Sequence, residues 1–193
     1  DLTFDNIYHE HYNYWSLLSL KNFFEKFDSC IYRAEKIDTH GGSLRVYIKK
    51  GKKNKIENSV GKILKEEKKF GIDKFETYKK FGKKIVQIRK NVIKNIRDLK
   101  KQNKKIIGYG APAKATTALN FYGVSDEIDF IVEDNKLKHN KIIPGVNIPT
   151  KDKNNVVKKD NIVIVLAWNF FDEIKKNNTN LSNNFISIKS LEN

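Results

Sequence analysis

The chain has 193 residues, of which 39% are hydrophobic, which is enough for one medium-sized domain or for one small domain plus part of another. Only four of the 38 basic residues behind its net charge of +15 are arginines, which argues against nucleic-acid readout and favours a solvated lysine surface. The single cysteine, Cys30, excludes an internal disulfide and a zinc site of the paired CxxC type.

Residues 1–55 are predicted to form the end of an α/β domain. A helix is expected over 17–27, where apolar residues recur with helical spacing behind the N-cap candidate Ser16. Strands are expected at 30–32 and 44–48. Alternation along the second strand places three apolar residues on its inward face: Leu44, Val46 and Ile48.

Residues 56–104 are predicted to be largely helical. Five apolar residues at spacings of three and four share one helix face: Ile85, Ile88, Val92, Ile96 and Leu99. A free coiled coil is the alternative, but it requires sustained heptads, which this segment lacks. We therefore expect one or two helices that bridge the two halves of the chain.

Residues 105–193 alternate between strand and helix patterns. Strands are expected at 105–108, 128–132, 161–166 and 185–188, and helices at 113–121 and 170–177. The apolar run within the third strand is typical of a parallel strand that is covered on both faces. The alternation predicts a Rossmann-like, doubly wound parallel sheet, with a loop containing Pro144 and Pro149. We expect this part to fold without residues 1–55.

A glycine-rich motif joins the first strand of this domain to its first helix. Its residues are Gly108, Tyr109, Gly110, Ala111, Pro112 and Lys114. Glycines allow a tight turn close to a ligand, and the helix start behind them offers N–H groups to an anion. The spacing, GxGxPxK, matches neither the dinucleotide motif GxGxxG nor the P-loop. The motif indicates either a phosphate-binding turn or only a tight strand-to-helix connection.

Polar residues after two later strands are candidates for the same edge of the sheet, because ligands of open parallel sheets bind at the carboxyl ends of the strands. Glu133, Asp134 and Asn135 follow the second predicted strand. Asp134 lies about two dozen residues after Gly110, where dinucleotide folds carry a ribose-binding acid, but it is equally suited to cap a turn. Trp168 and Asn169 follow the third predicted strand. Trp168 could stack on a base or belong to the core.

A second motif near the start of the chain combines Tyr8, Glu10 and His11, and so offers a phenol, a carboxylate and an imidazole within four residues. A histidine oriented by a carboxylate is a good general base near neutral pH. One alternative is a metal pair formed by His9 and His11 on one strand face, although no third ligand is near. The other is a polar strand end.

These motifs occur together in one known family. The segments 7–11, 39–46, 108–114 and 166–170 resemble, in order and spacing, the bacterial nucleotide-sugar C-methyltransferases of deoxysugar biosynthesis, over essentially the whole chain. The resemblance implies that S-adenosylmethionine (SAM) methylates a ring carbon beside a keto group, through an enolate. A non-catalytic module that binds a nucleotide or nucleotide-sugar is the alternative from a different class.

The resemblance also implies roles for individual residues. His11 would be the base, Glu10 would polarise or position it, and Tyr8 would bind or orient the sugar. A loop of His40, Gly41, Gly42 and Ser43 would line the sugar pocket. The alternative is that the glycine pair only supplies a tight bend. The nucleotide-diphosphate sugar would be bound by Gly108, Tyr109, Gly110, Ala111, Pro112, Lys114, Asp134, Trp168 and Asn169.

The resemblance divides the chain into a remnant of the SAM-dependent domain (1–55), a helical connector (56–104) and a Rossmann-like domain that binds the nucleotide-sugar (105–193). Because the chain begins with Asp and contains no Met, we expect a fragment, inactive alone, with the main SAM site and a cysteine-rich zinc module upstream. No apolar run approaches the roughly 20 residues of a membrane span. A cytoplasmic protein with neither membrane nor nucleic-acid partners and no metal site of its own is expected.

Overall fold

The structure, a computed structural model, describes residues 2–51, 54–156 and 161–193. It divides into two compact units, one made of Asp1–Glu10 with Lys84–Asn193 and the other of His11–Lys83. The three segments predicted from the sequence have other boundaries, and the functions assigned to them stay predictions. Among the described residues, no helix has both the length and the apolar character to cross a membrane.

The unit His11–Lys83 is built around one antiparallel strand pair. Its elements are α1 (Leu17–Glu25), β1 (Ser29–Ile37), β2 (Ser43–Lys50), α2 (Asn58–Phe70) and the first part of α3 (Phe75–Lys100). The predicted start of α1 is confirmed, because Ser16 and Ser19 cap it reciprocally. The carboxylate of Glu67 adds hydrogen bonds from the N–H groups of Leu17 and Leu18, at 2.6 and 2.9 Å.

A small apolar core holds this unit together. Its buried members are Leu17, Ile31, Ala34, Val60 and Ile63. Leu44 and Val46 pack against it, as the alternation of β2 predicts. Ile48 does not join the core and is 38% exposed, because it pairs with Ile31 at the end of the strand, beyond a β-bulge.

The other unit contains a five-stranded parallel sheet. Its elements are β3 (Ile106–Tyr109), α4 (Ala113–Tyr122), β4 (Phe130–Val132), β5 (Thr150–Lys151), β6 (Ile162–Val165), α5 (Phe171–Asn177) and β7 (Asn184–Ser187). The strand order is β5-β4-β3-β6-β7, and every neighbouring pair is parallel. The predicted Rossmann-like α/β fold is confirmed, although β5 lies where the sequence predicted only a loop.

Helices cover the two faces of this sheet. On one face, α3 and α4 share a core with alternate strand residues such as Ile106, Ile131 and Ile164. The predicted α3 stripe is confirmed here, since Ile85, Ile88, Val92 and Ile96 are buried and Leu99 is partly buried. On the other face, Phe171 and Ile174 of α5 pack against the intervening residues, which include Ile107, Val163 and Val165. β3, β4, β6 and β7 thus each contribute to both cores, as the continuous apolar runs predict.

The order of the strands creates a crevice at one point of the sheet edge. From β3 the chain proceeds to β4 and β5 on one side, and β6 and β7 then lie on the other. The segments that follow β3 and β6 therefore leave the sheet in opposite directions. Such a topological switch point is where open α/β sheets bind their ligands.

Candidate functional site

A crevice of about 490 Å³ lies at the carboxyl ends of β3, β4 and β6. Its lining includes Tyr109–Pro112 after β3, Glu133 and Asp134 after β4, and Ala167 after β6. The structure thus brings together the glycine motif and Asp134, which the sequence predicted for one site. Their proximity follows from the parallel pairing of β3 with β4, which aligns the ends of the two strands.

The two glycines of the motif are required by close packing. Gly108 lies within β3, where a Cβ atom would be 2.8 Å from Cγ1 of Ile131. Gly110 has a φ of +87°, and its Cβ atom would be 2.9 Å from that of Ala167. The turn therefore begins after Gly108, and only Gly110 needs the backbone freedom of glycine. Both glycines let this segment approach the neighbouring strands.

The N–H groups of Gly110 and Ala111 in the turn are satisfied within the protein. The N–H of Gly110 donates to the carbonyl of Val132 at 2.8 Å, and the N–H of Ala111 donates to Oε2 of Glu133 at 2.7 Å. Pro112 has no N–H. The carbonyl of Ala111 accepts from Nζ of Lys138 at 2.8 Å. A diphosphate could reach the N–H of Ala111 only by displacing the Glu133 carboxylate.

The sequence placed Glu133 at this edge of the sheet without a role of its own, and in the structure its carboxylate holds the turn together. Its side chain is buried, and Oε1 accepts a further hydrogen bond from the N–H of Asn135 at 2.9 Å. Its carbonyl lies 2.7 Å from Nε2 of His139. The sequence contained a signal for it, because Glu133 is the first residue after the second strand of a βαβ unit, a position where dinucleotide folds carry an acid.

Asp134 takes part in a second set of polar contacts. The phenol of Tyr109 donates to Oδ2 of Asp134 at 2.8 Å, and Oδ1 of Asn178 lies 3.2 Å from the same phenol. Nζ of Lys153 lies 3.2 Å from Oδ1 of Asp134. Burial, reinforced by the Asp134 carboxylate, raises the pKa of Tyr109 well above its ordinary value. Tyr109 is therefore a neutral hydrogen-bond donor.

Trp168 and Lys114 belong to a neighbouring cluster. The indole N–H of Trp168 donates to Oδ2 of the buried Asp5 at 2.8 Å. Nζ of Lys114 and Nζ of Lys189 each lie 5.2 Å from the centre of a Trp168 ring. Trp168 is thus held by protein groups, and Asn169 beside it is exposed. Their predicted roles in substrate binding, and that of Lys114, stay predictions.

The predicted catalytic motif of Tyr8, Glu10 and His11 follows a short 3-10 helix, Phe4–Asn6. Phe4 of this helix packs against Phe121 and Tyr122 of α4. Residues 8–10 then form a bend and a turn rather than a strand. Nε2 of His9 lies 3.9 Å from Oε1 of Glu10, and both side chains are exposed. Because residues 8–10 form no strand, His9 and His11 do not share a strand face. The two alternative interpretations, a metal pair on one strand face and a polar strand end, both required a strand here.

Three residues of that motif carry its predicted chemistry. Tyr8 is partly buried, whereas Glu10 and His11 are exposed. Glu10 belongs to the unit with the parallel sheet, and His11 is the first residue of the other unit. Their catalytic roles stay predictions.

The predicted sugar-pocket loop forms a tight bend. Thr39–Gly41 is one turn of 3-10 helix, and Gly41 and Gly42 have φ angles of +83° and +116°. The hydroxyl of Ser43 donates to the carbonyl of Thr39 at 2.9 Å. The glycine pair is therefore required by the backbone conformation. The side chain of His40 lies outside the described part of the structure.

Comparison with known proteins gives two matches. Residues 38–187 match a family described as the C-methyltransferase C-terminal domain. The chain is also 32% identical over 177 residues to the C-methyltransferase NovU of Streptomyces niveus. That alignment covers 90% of this chain and 42% of NovU, so the chain spans less than half the length of this relative.

Proposed function

Because the chain belongs to the C-methyltransferase C-terminal domain family, we propose that it serves in transferring a methyl group from SAM to a ring carbon of a nucleotide-linked keto-sugar. The observation that carries this proposal is the crevice at the switch point, which lies within the residues matched by the family. Its carboxylates, neutral phenol and apolar walls are a typical lining for a polar small molecule. We assign this crevice to the nucleotide-sugar substrate.

We propose that this crevice does not hold SAM. The amino-acid carboxylate of SAM would need N–H donors from a glycine turn, and those of Gly110 and Ala111 are bonded to Val132 and Glu133. We therefore expect the main SAM site in another part of the methyltransferase.

The proposed chemistry begins at the carbon beside the keto group, because methyl transfer to carbon requires a carbon nucleophile. His11 accepts the proton from this carbon, and the electrons of the C–H bond form the enolate. Glu10 orients the imidazole, and Tyr8 orients the sugar. Support comes from the family and from the exposure of Glu10 and His11, which keeps both open to a substrate.

Lys114 is the proposed contact for the diphosphate. It is the second residue of α4, and the start of a helix favours an anion through its N–H groups and dipole. Because the N–H groups of Gly110 and Ala111 are already bonded, the Lys114 ammonium and the first turn of α4 are the proposed binding elements. Loss of one charge-assisted hydrogen bond typically costs about 1.5–3 kcal/mol.

Calorimetry with UDP-glucose and dTDP-glucose tests the proposed function. We expect one of them to bind the wild-type chain, and Lys114→Ala to weaken that binding about ten-fold or more. Lys101→Ala is the matched control, because Lys101 is exposed, pairs with Asp98 and lies outside the first turn of α4. Equal affinity of the Lys114→Ala protein would remove Lys114 from the site. Failure of both nucleotide-sugars to bind would contradict the assignment of the crevice.

A further inference from the structure

We infer that this crevice binds the hydroxyl groups of the nucleoside's ribose, chiefly through Asp134, and that Glu133 keeps the diphosphate off the glycine turn. The inference rests on the proposed function, because the nucleoside is one part of the nucleotide-linked substrate. It specifies which part enters the crevice and which part stays outside.

The glycine turn is closed to an anion by an anion of the protein itself. The Glu133 carboxylate is 9% exposed and accepts from the N–H of Ala111 at 2.7 Å and of Asn135 at 2.9 Å. A phosphate that took its place would have to expel a buried, doubly hydrogen-bonded carboxylate. The neighbouring N–H of Gly110 is used in the sheet. The turn therefore lacks the donors with which glycine motifs hold phosphate.

The charges around the crevice also disfavour phosphate. Three carboxylates line it, from Glu133, Asp134 and Glu173, against two ammonium groups. Both ammonium groups have partners, since Lys138 donates to the carbonyl of Ala111 and Lys153 pairs with Asp134. A diphosphate inside would meet an excess of like charge, and the repulsion grows where water is excluded. A neutral group that donates hydrogen bonds avoids this repulsion.

Asp134 has acceptor capacity left for such a group. An ionised carboxylate offers about four lone-pair sites. Here one oxygen accepts from the Tyr109 phenol and the other pairs with Lys153. The side chain is 57% exposed, so the remaining lone pairs are accessible from the crevice. Because Tyr109 stays neutral, its O–H holds the carboxylate in place without adding a charge. Ribose hydroxyls are donors of the required kind.

The walls of the crevice suit the rest of a nucleoside. Pro112, Ala167, Phe170 and Ile174 form its apolar lining. The Phe170 ring is 61% exposed and can stack on a planar base. A volume of about 490 Å³ falls within the range of roughly 300–1,000 Å³ that is usual for small-molecule sites. A sugar on Asp134 with its base against Phe170 fits these dimensions.

An NMR titration of the full 193-residue chain tests the inference. The probes are sodium pyrophosphate, uridine and thymidine. Uridine is compared with 2′,3′-dideoxyuridine, which lacks both ring hydroxyls of the ribose, and thymidine with 3′-deoxythymidine, which lacks the one ring hydroxyl of its deoxyribose. We expect uridine or thymidine to shift the amide signals of Tyr109, Ala111 and Asp134. The matching deoxy form should bind at least ten-fold more weakly, and pyrophosphate should leave the signal of Ala111 unchanged.

Two variants separate the roles of the acids. Asp134→Asn should weaken nucleoside binding about ten-fold, whereas the control Asp126→Asn, an exposed acid outside the crevice, should not. Glu133→Gln, whose uncharged amide accepts less strongly, should let pyrophosphate shift the amide of Ala111. The dispersion of the NMR spectrum shows whether Glu133→Gln is folded. If Glu133→Gln does not fold, the nucleoside affinity of Asp134→Asn tests the inference instead.

Three results would overturn the inference: equal binding of a nucleoside and its deoxy form, unchanged affinity of Asp134→Asn, or pyrophosphate binding at Ala111 in the wild type. The calorimetry with nucleotide-sugars tests the proposed function separately from the inference. If they bind while the nucleosides show no dependence on ribose hydroxyls, the inference fails and the proposed function stands.

Discussion

Two buried phenols make the stability of the protein sensitive to alkaline pH. Burial and the neighbouring Glu192 raise the pKa of Tyr122 above its ordinary value, as burial and Asp134 do for Tyr109. A raised pKa means that the folded state holds the proton more tightly than the unfolded state. The stabilising contribution is therefore complete below about pH 10 and is lost as the pH rises above it.

We predict that Tyr122→Phe flattens this alkaline loss of stability. The measurement is thermal unfolding at several pH values between about 9 and 11. Tyr12→Phe, which changes a phenol that is 88% exposed, should retain the wild-type slope. Identical slopes for all three proteins would show that Tyr122 does not ionise differently in the two states.

The different surroundings of Gly108 and Gly82 predict opposite effects of an alanine substitution on stability. Gly108→Ala should lower the free energy of unfolding by about 1–3 kcal/mol, because its methyl group would crowd Ile131 and Leu166. Gly82→Ala, within α3, should raise the stability by up to about 1 kcal/mol, since a methyl group there meets nothing within 4 Å. Urea unfolding followed by circular dichroism measures both. A tolerated Gly108→Ala would mean that β3 is more loosely packed than the structure indicates.

His11 as the base predicts a loss of proton removal. In the intact methyltransferase, His11→Asn should slow solvent deuterium exchange at the carbon beside the keto group about 10²–10⁴-fold, measured without SAM. His9→Asn is the control, because His9 is an exposed neighbour with no predicted role. Exchange at the wild-type rate in His11→Asn would mean that another residue is the base.

At the scale of elements, signals local in the sequence predicted the fold well. The capped start of α1 and the buried stripe of α3 follow from residues three or four positions apart. β5 was missed because it has two residues and directly follows Pro149, and its pairing with β4 is a contact between distant residues. The position of Glu133 after a strand was a signal in the sequence, but its hydrogen bond from the N–H of Ala111, 22 residues earlier, could not be predicted from local pattern.

The stripe of α3 predicts a difference between two identical substitutions on one helix. Val92→Ala should cost about 2 kcal/mol of unfolding free energy, because Val92 is fully buried and its truncation leaves a cavity. Val86→Ala should cost far less, because Val86 is 52% exposed. Urea unfolding of the two variants checks this, and equal costs would contradict the packing of α3 on the sheet.

At the scale of the whole molecule, the sheet depends on α3. The core beneath one face includes Ile85, Ile88, Val92 and Ile96, all of which precede residue 105. The sequence led us to expect that 105–193 folds without residues 1–55, which stays a prediction. Taken without α3, this segment would expose the residues that these four cover. The covering helix cannot be recognised from the strand pattern alone.

We therefore predict that residues 84–193 fold cooperatively and that residues 105–193 do not. Both segments contain all five strands of the sheet, and only the longer one retains the buried part of α3. Thermal melting followed by near-ultraviolet circular dichroism distinguishes them. A sharp transition for residues 105–193 would show that α3 is dispensable.

The hydrogen bond between Trp168 and Asp5 joins residues 163 positions apart. During synthesis on a ribosome, which proceeds from the amino end, Asp5 emerges 163 residues before its partner Trp168. The packing partners of Phe4, Phe121 and Tyr122, also come much later. The segment that leads to Tyr8 and Glu10 is thus translated well before the residues that hold it in place. A prematurely terminated chain would lack the anchor for its proposed catalytic motif.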